Sequence, residues 1–157
     1  MQSDLDNNIG FAIKGAVRAM ERAFDFELRN TAKITLSQAR VIRALTRSDG
    51  MTQKEIAESI AVEAPTLVPI IDRMEQEGLL ERRQDRDDRR NNRVYLTVKS
   101  RSLSNEIETS LERVREAAYR GIPKQDMETL KQVLDSIAKN ASGYLESQEQ
   151  VGVQKIK

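Results

Sequence analysis

Six arginines fall between positions 82 and 93: Arg82, Arg83, Arg86, Arg89, Arg90 and Arg93, interleaved with Asp85, Asp87 and Asp88. The segment carries a local charge of +3, whereas the whole 157-residue chain carries +1. Positive charge gathered at one place on a nearly neutral chain suits local contact with a polyanion, not indiscriminate adhesion. The missing residue types narrow the chemistry further. There is no Cys and no His. Disulfides, thiol nucleophiles and thiol redox sensors are thereby excluded, as are Ser-His-Asp and Cys-His catalysis. A structural zinc site lacks its usual ligands. The carboxylates lie scattered beside Lys and Arg, the pattern of a solvated helix surface. No enzyme activity, cofactor or metal is expected.

The elements that must position the arginines come just before them. Ile56, Ala57 and Ile60 fall at helical spacing within Gln53–Ile60, and Leu67, Ile70, Ile71 and Met74 repeat the pattern after a break at residues 61–65. Pro65 suits the first turn of the second helix, and Gly78 suits its left-handed C-cap. Two helices joined by so short a break form a helix-turn-helix, with the small Ala57 permitting close approach. The runs Leu79–Arg83 and Arg93–Val98 then read as two strands of a hairpin. The very polar segment between them forms its tip. A helix-turn-helix followed by an arginine-tipped hairpin is a winged helix. In that arrangement a helix enters the major groove of DNA, and the wing reaches phosphates or the minor groove.

The residues from Gln53 to Ile60, Pro65-Thr66-Leu67, Ile71-Asp72-Arg73-Met74-Glu75 and Gly78-Leu79-Leu80-Glu81-Arg82-Arg83 together resemble the MarR (multiple antibiotic resistance regulator) family. So does Asp87-Asp88-Arg89-Arg90 leading into Val94-Tyr95-Leu96-Thr97. The spacing from Asp88-x-Arg90 to Leu96-Thr97 is the most specific part. The resemblance implies a ligand-responsive transcriptional regulator, expected to be a repressor. It would act as a homodimer on a pseudo-palindromic operator in double-stranded DNA. It also implies a site for a small aromatic or lipophilic effector between the dimer helices and the DNA-binding lobe, with effector-binding residues left unassigned. Two positions depart from the family pattern. Pro69 stands where Thr or Arg is frequent, and Ser100 where Gly is usual. The run Thr66-Leu67-Val68-Pro69 resembles the organic-peroxide-sensing branch, but that branch senses through a cysteine absent here.

Candidate DNA contacts follow from this placement. The start of the second helix nominates Ala64, Pro65, Thr66, Leu67 and Val68 for base edges. Ala64 and Val68 suit a thymine methyl, and Thr66 suits either a base edge or the helix cap. Gln53 is placed for a phosphate. Arg73 completes the helix contribution, or braces the lobe against acidic residues as the resemblance implies. From the wing come Arg83, Arg86, Asp88, Arg89, Arg90 and Asn91.

The composition, 38% hydrophobic, 32% charged and 4% aromatic, favours a mostly α fold with charged outer faces. One domain of 1–157 is expected, its winged lobe at 35–99 and dimerisation helices at 1–34 and 100–146. Leu5, Ile9, Ala12, Ile13, Ala16, Val17, Met20, Ala23, Phe24 and Leu28 form one amphipathic stripe, suited to a core or to an oligomer interface. Thr35 or Ser37 caps the next helix, which Asp49-Gly50 stops. Its Arg40, Arg43 and Arg47 share a face, as a solvated edge, a phosphate contact or a pocket wall. After Thr97, two further apolar repeats, from Leu103 to Ala118 and from Met127 to Leu145, are separated by Gly121-Ile122-Pro123, and the tail from Glu146 is expected to fray. With no signal peptide and no long apolar run, a soluble cytoplasmic protein with no membrane partner is expected. A rival reading is a winged-helix protein-interaction module without specific DNA binding. Pro69 and the acidic residues Glu75, Glu77 and Glu81 favour it.

Overall fold

The computed structural model describes the backbone of residues 2–154 except 86–91, and the side chains of 8–85 and 92–147. Its elements are α1 (Gln2–Asn30), α2 (Leu36–Arg47), β1 (Met51–Thr52), α3 (Gln53–Ser59), α4 (Ala64–Gln76), β2 (Leu80–Gln84), β3 (Asn92–Leu96), α5 (Val98–Ser102), α6 (Ser104–Ala118) and α7 (Lys124–Gln154). The chain divides into two compact units, Met1–Ala118 and Tyr119–Lys157.

In the first unit, α2, α3 and α4 bury their apolar faces against one another and against the hairpin. Leu45, Ile56, Leu67, Ile71, Met74 and Val94 are fully buried. Leu67, Ile71 and Met74 lie at i, i+4 and i+7, so one stripe of α4 faces inward and the rest is left for solvent. The stop at each helix end follows from local chemistry. Thr35 accepts a hydrogen bond from the Gln38 N–H (3.2 Å) while the Gln38 side chain accepts from the Thr35 N–H (2.8 Å), a capping box that selects Thr35 over Ser37. Thr52 and Glu55 repeat the device at the start of α3. At the end of α4, Leu79 N–H donates to the Met74 carbonyl (2.8 Å) and Gly78 N–H to the Glu75 carbonyl (3.0 Å). With Gly78 at φ +70°, this is a Schellman ending.

The sheet has three antiparallel strands in the order β1-β3-β2. Leu80 pairs with Leu96, Arg82 with Val94 and Gln84 with Asn92, so Leu80, Val94 and Leu96 share the buried face. The third strand, β1, pairs Met51 with Val94 and Thr52 with Arg93. At two residues it is too short to announce itself by alternation. One further difference concerns the segment after Thr97. Thr97 caps a short α5, accepting from the Ser100 N–H (3.3 Å), and α6 begins separately at Ser104. Ser100 is fully buried, its hydroxyl donating to the Thr97 carbonyl (3.1 Å). The last helix runs to Gln154, beyond the expected fraying point.

Among the described residues of the first unit, the amphipathic stripe of α1 is only partly covered. Leu28 is buried and Phe24 packs partly on the core, while Ile9 and Val17 are exposed, as are Phe11 and Phe26 outside the stripe. The core reading thus holds only for the C-terminal end of α1. In the second unit, Leu130, Val133, Leu134, Ile137 and Leu145 of α7 are likewise exposed.

Gly50 and Gly78 both adopt positive φ, but in different surroundings. A Cβ on Gly50 (φ +76°) would lie 2.7 Å from the Tyr95 ring, whereas one on Gly78 would meet nothing within 4 Å. Gly78→Ala is therefore expected to cost about 1 kcal/mol from backbone strain alone, and Gly50→Ala distinctly more, as read from urea unfolding of the two variants.

Candidate nucleic-acid interface

The turn between α3 and α4 sets how α4 is presented. Ala61 adopts positive φ (+54°), and the Val62 N–H returns to the Ala57 carbonyl (3.0 Å). The small buried Ala57 allows this approach. From Ala64 onward the outward face of α4 consists of Ala64, Pro65, Thr66, Val68 and Pro69, all exposed. Leu67 is the exception among the nominated contacts. It is fully buried, because it shares the inward stripe with Ile71 and Met74, and it cannot touch a base edge. Thr66 is not the helix cap. That position belongs to Glu63, whose side chain makes no capping bond, and the Thr66 side chain has no hydrogen-bond partner among the described residues. Pro69 is the sixth residue of α4, which begins at Ala64, and the helix continues through it unbroken.

The hairpin arginines divide by role. Arg82 is a bracket and no free cation. Its guanidinium, 19% exposed, ion-pairs with both Asp72 and Glu75 of α4. Its N–H donates to Glu75 (3.1 Å), and its Nε and Nη2 lie 3.1 and 3.0 Å from the amide oxygen of Gln53 in that side chain's favoured orientation. Burial pushes the Arg82 pKa down, but the hydrogen bonds from Asp72 and Glu75 outweigh it and raise it. The Gln53 amide oxygen is accordingly engaged inside the lobe, which leaves its NH2 group as the donor a phosphate would need. Arg93 is a second bracket, held by Asp85 (2.5 Å) and by the Gly50 carbonyl (2.9 Å). The local charge of +3 is therefore partly neutralised from within.

Arg83 points elsewhere. It is 60% exposed, pairs with Glu81 and lies 4.5 Å above the Tyr95 ring. Arg73, 72% exposed, pairs with Glu77 (2.8 Å), the acidic pairing that the resemblance implies. This hydrogen bond holds the Glu77 carboxyl below its ordinary range. Arg86, Asp88, Arg89, Arg90 and Asn91, expected at the wing tip, lie outside the described residues. The acidic residues Glu75, Glu77 and Glu81 each face an arginine, so they form no free acidic patch. The structural roles of Arg82 and Arg93 escaped the sequence reading, which counted them only as charge. The spacing Asp72-x-x-Glu75 on one helix face, ahead of Arg82, was the available signal.

A second feature lies between α1 and α2. A cleft of about 1060 Å³ is lined by Arg18, Arg22, Arg29, Arg40, Phe26 and Leu36, with Glu21 and Asp25. Arg40 is held by Glu21 (2.6 Å) and Arg29 by Asp25 (2.6 Å), while Arg18 and Arg22 make no ion pair among the described residues. Of the three arginines expected on one face of α2, Arg40 walls this cleft and Arg43 pairs with Glu108 of α6 (2.6 Å). A smaller apolar hollow of about 500 Å³, lined by Met20, Ala23, Phe26 and Val114 among others, lies between α1 and α6.

A helix-turn-helix braced to a three-stranded wing, with flanking long helices, defines a winged-helix protein. Residues 34–91 match the sequence model of the MarR family. The HTH-type transcriptional regulator TtmR of Methylorubrum extorquens is 32% identical over 104 residues, 66% of this chain and 53% of that protein. The winged segment of the chain is therefore similar to the MarR family in sequence. It spans about half the length of this curated relative. Among solved structures, Bordetella bronchiseptica BpsR, whose DNA binding is regulated by 6-hydroxynicotinic acid, aligns at TM-score 0.76 with 22% identity, over 83% of this chain and 92% of its own. CouR from Rhodococcus jostii RHA1, bound to p-coumaroyl-CoA, aligns at TM-score 0.71 with 24% identity, over 85% and 94%. Both share the fold.

If Arg82 braces the lobe and Arg83 does not, their loss separates cleanly. Arg82→Ala leaves Asp72 and Glu75 without a counter-charge and is expected to cost about 2 kcal/mol. Arg83→Ala removes an exposed pair and a stacking contact worth under about 1 kcal/mol. Urea unfolding of both variants checks the order.

Proposed function

We propose that this chain is a sequence-specific, DNA-binding transcriptional repressor that acts in the cytoplasm as a homodimer and responds to a small aromatic acid. The observation that carries the reading is the outward N-terminal half of α4, presented beside the hairpin by a turn that leaves Ala64, Pro65, Thr66, Val68 and Pro69 exposed. The match of residues 34–91 to the MarR family model supports it. The helix supplies base contacts and the wing, with Arg83 and the arginines at 86, 89 and 90, supplies phosphate or minor-groove contacts. The rival, a protein-interaction module, loses its main support because its acidic residues are internally paired.

The uncovered apolar residues of α1 and α7 support a homodimer, since exposed stripes of this length need an apolar partner. A symmetric dimer would set two copies of α4 roughly 34 Å apart, about one turn of B-DNA. The effector reading rests on the cleft between α1 and α2. Arg18 and Arg22 can pair a carboxylate there, while Phe26 and Leu36 offer an apolar wall for a ring. The aromatic acid that regulates BpsR is of the same chemical class.

Two measurements test this. Binding of the full chain to the DNA upstream of its own gene is expected to weaken steeply with salt, and Arg83→Ala is expected to lower the slope by about one per lost phosphate contact. Salt-independent binding would contradict the reading. Salicylate or 6-hydroxynicotinate is expected to bind the dimer less tightly when DNA is present, by the same factor by which it weakens DNA binding. A ligand affinity indifferent to DNA would show that the acid does not regulate.

A further inference from the structure

The outward face of α4 is unusual for a readout helix in what it lacks. From Glu63 to Asp72 there is no Arg, Lys, Asn or Gln. Guanine is ordinarily read by a bidentate Arg or Lys, and adenine by a bidentate Asn or Gln. Neither pairing can be made from this stretch. The first basic residue, Arg73, lies further along the helix and is tied to Glu77. Glu63 carries an acceptor only. The backbone is equally poor in donors: Pro65 and Pro69 have no N–H, and the Thr66 N–H is spent on the Glu63 carbonyl (3.0 Å). Thr66 is left as the single hydrogen-bonding side chain between residues 64 and 69.

What the face does offer is carbon. Val68 is 42% exposed although apolar, and the exposed Pro69 lies beside it. Ala64 and Pro65 extend the same surface toward the helix start. In the major groove, the one apolar group a base pair presents is the C5-methyl of thymine.

We propose that α4 reads its half-site chiefly through thymine methyl groups packed on Val68 and Pro69, with Thr66 as the only direct hydrogen-bonding reader. The inference rests on the DNA-binding reading above and goes beyond it by naming the base feature recognised. Each half-site would then carry T·A pairs beneath Val68 and Pro69. Guanine there would have no partner in the protein.

The experiment starts from duplexes with a randomised central segment, selected on the full chain, and resynthesised with deoxyuridine replacing thymine at single positions. Deoxyuridine keeps every hydrogen-bonding group and removes only the methyl. Replacement at a contacted position is expected to weaken binding about fourfold for each buried methyl lost, and replacement outside the half-sites not at all. In Val68→Ala, whose exposed position leaves folding intact, the thymine-to-uracil difference at one position per half-site should vanish. Arg83→Ala should weaken thymine and uracil duplexes alike. Equal binding of thymine and fully uracil-substituted duplexes would overturn the methyl readout while leaving DNA binding intact. Failure to select any duplex would overturn both readings together.

Discussion

The guanidinium of Arg82 sits where α3, α4 and β2 meet. It pairs with Asp72 and Glu75 of α4 and lies within hydrogen-bonding distance of Gln53 of α3, while its own backbone is part of the wing. Three elements that would otherwise adjust independently are held in one geometry. A charge at this depth is tolerated because two carboxylates compensate it and because those carboxylates keep partial access to solvent. The second bracket, Arg93 with Asp85 and the Gly50 carbonyl, fixes the far end of the hairpin to the loop after α2. Asp49 adds a third tie, accepting from the Leu96 N–H (3.0 Å) and pairing with Arg101. The wing is thus tied to the helices by polar contacts as well as by the apolar core they share.

This division of labour fits the proposed function, in which a nearly neutral chain presents one side to DNA. Charge that braces the lobe is spent internally, and of the described hairpin arginines it is Arg83 that remains outward. The helix contributes shape and apolar surface. In the proposed complex, affinity would come largely from the wing and discrimination from α4, so each can be altered without the other.

Much of this was legible in the sequence. The helix-turn-helix appeared because apolar residues in α3 and α4 repeat at helical spacing, and because Pro65 and Gly78 mark a start and a stop. The hairpin appeared through two short runs, the second rich in β-branched and aromatic residues, on either side of a very polar segment. The misplacement of Leu67 came from nominating five consecutive residues as base contacts, when a 3.6-residue period must turn one of them inward. Arg82 and Arg93 were misjudged for a related reason: composition counts charge, but only strand register shows which carboxylate an arginine faces. The strand β1 was invisible because two residues show no alternation. For α1 and α7 the amphipathic pattern was plain, yet a stripe does not say whether its cover comes from the same chain or from another copy.

The most direct measurement is amide chemical-shift mapping of the full chain on addition of a selected duplex. Large changes are expected at Thr66 and Val68 of α4 and at Arg83 of β2, with the residues around Leu130 to Ile137 of α7 unmoved. Changes confined to α7 or to the outer face of α1, with α4 unaffected, would contradict the assignment of α4 and the wing as the DNA-binding surface.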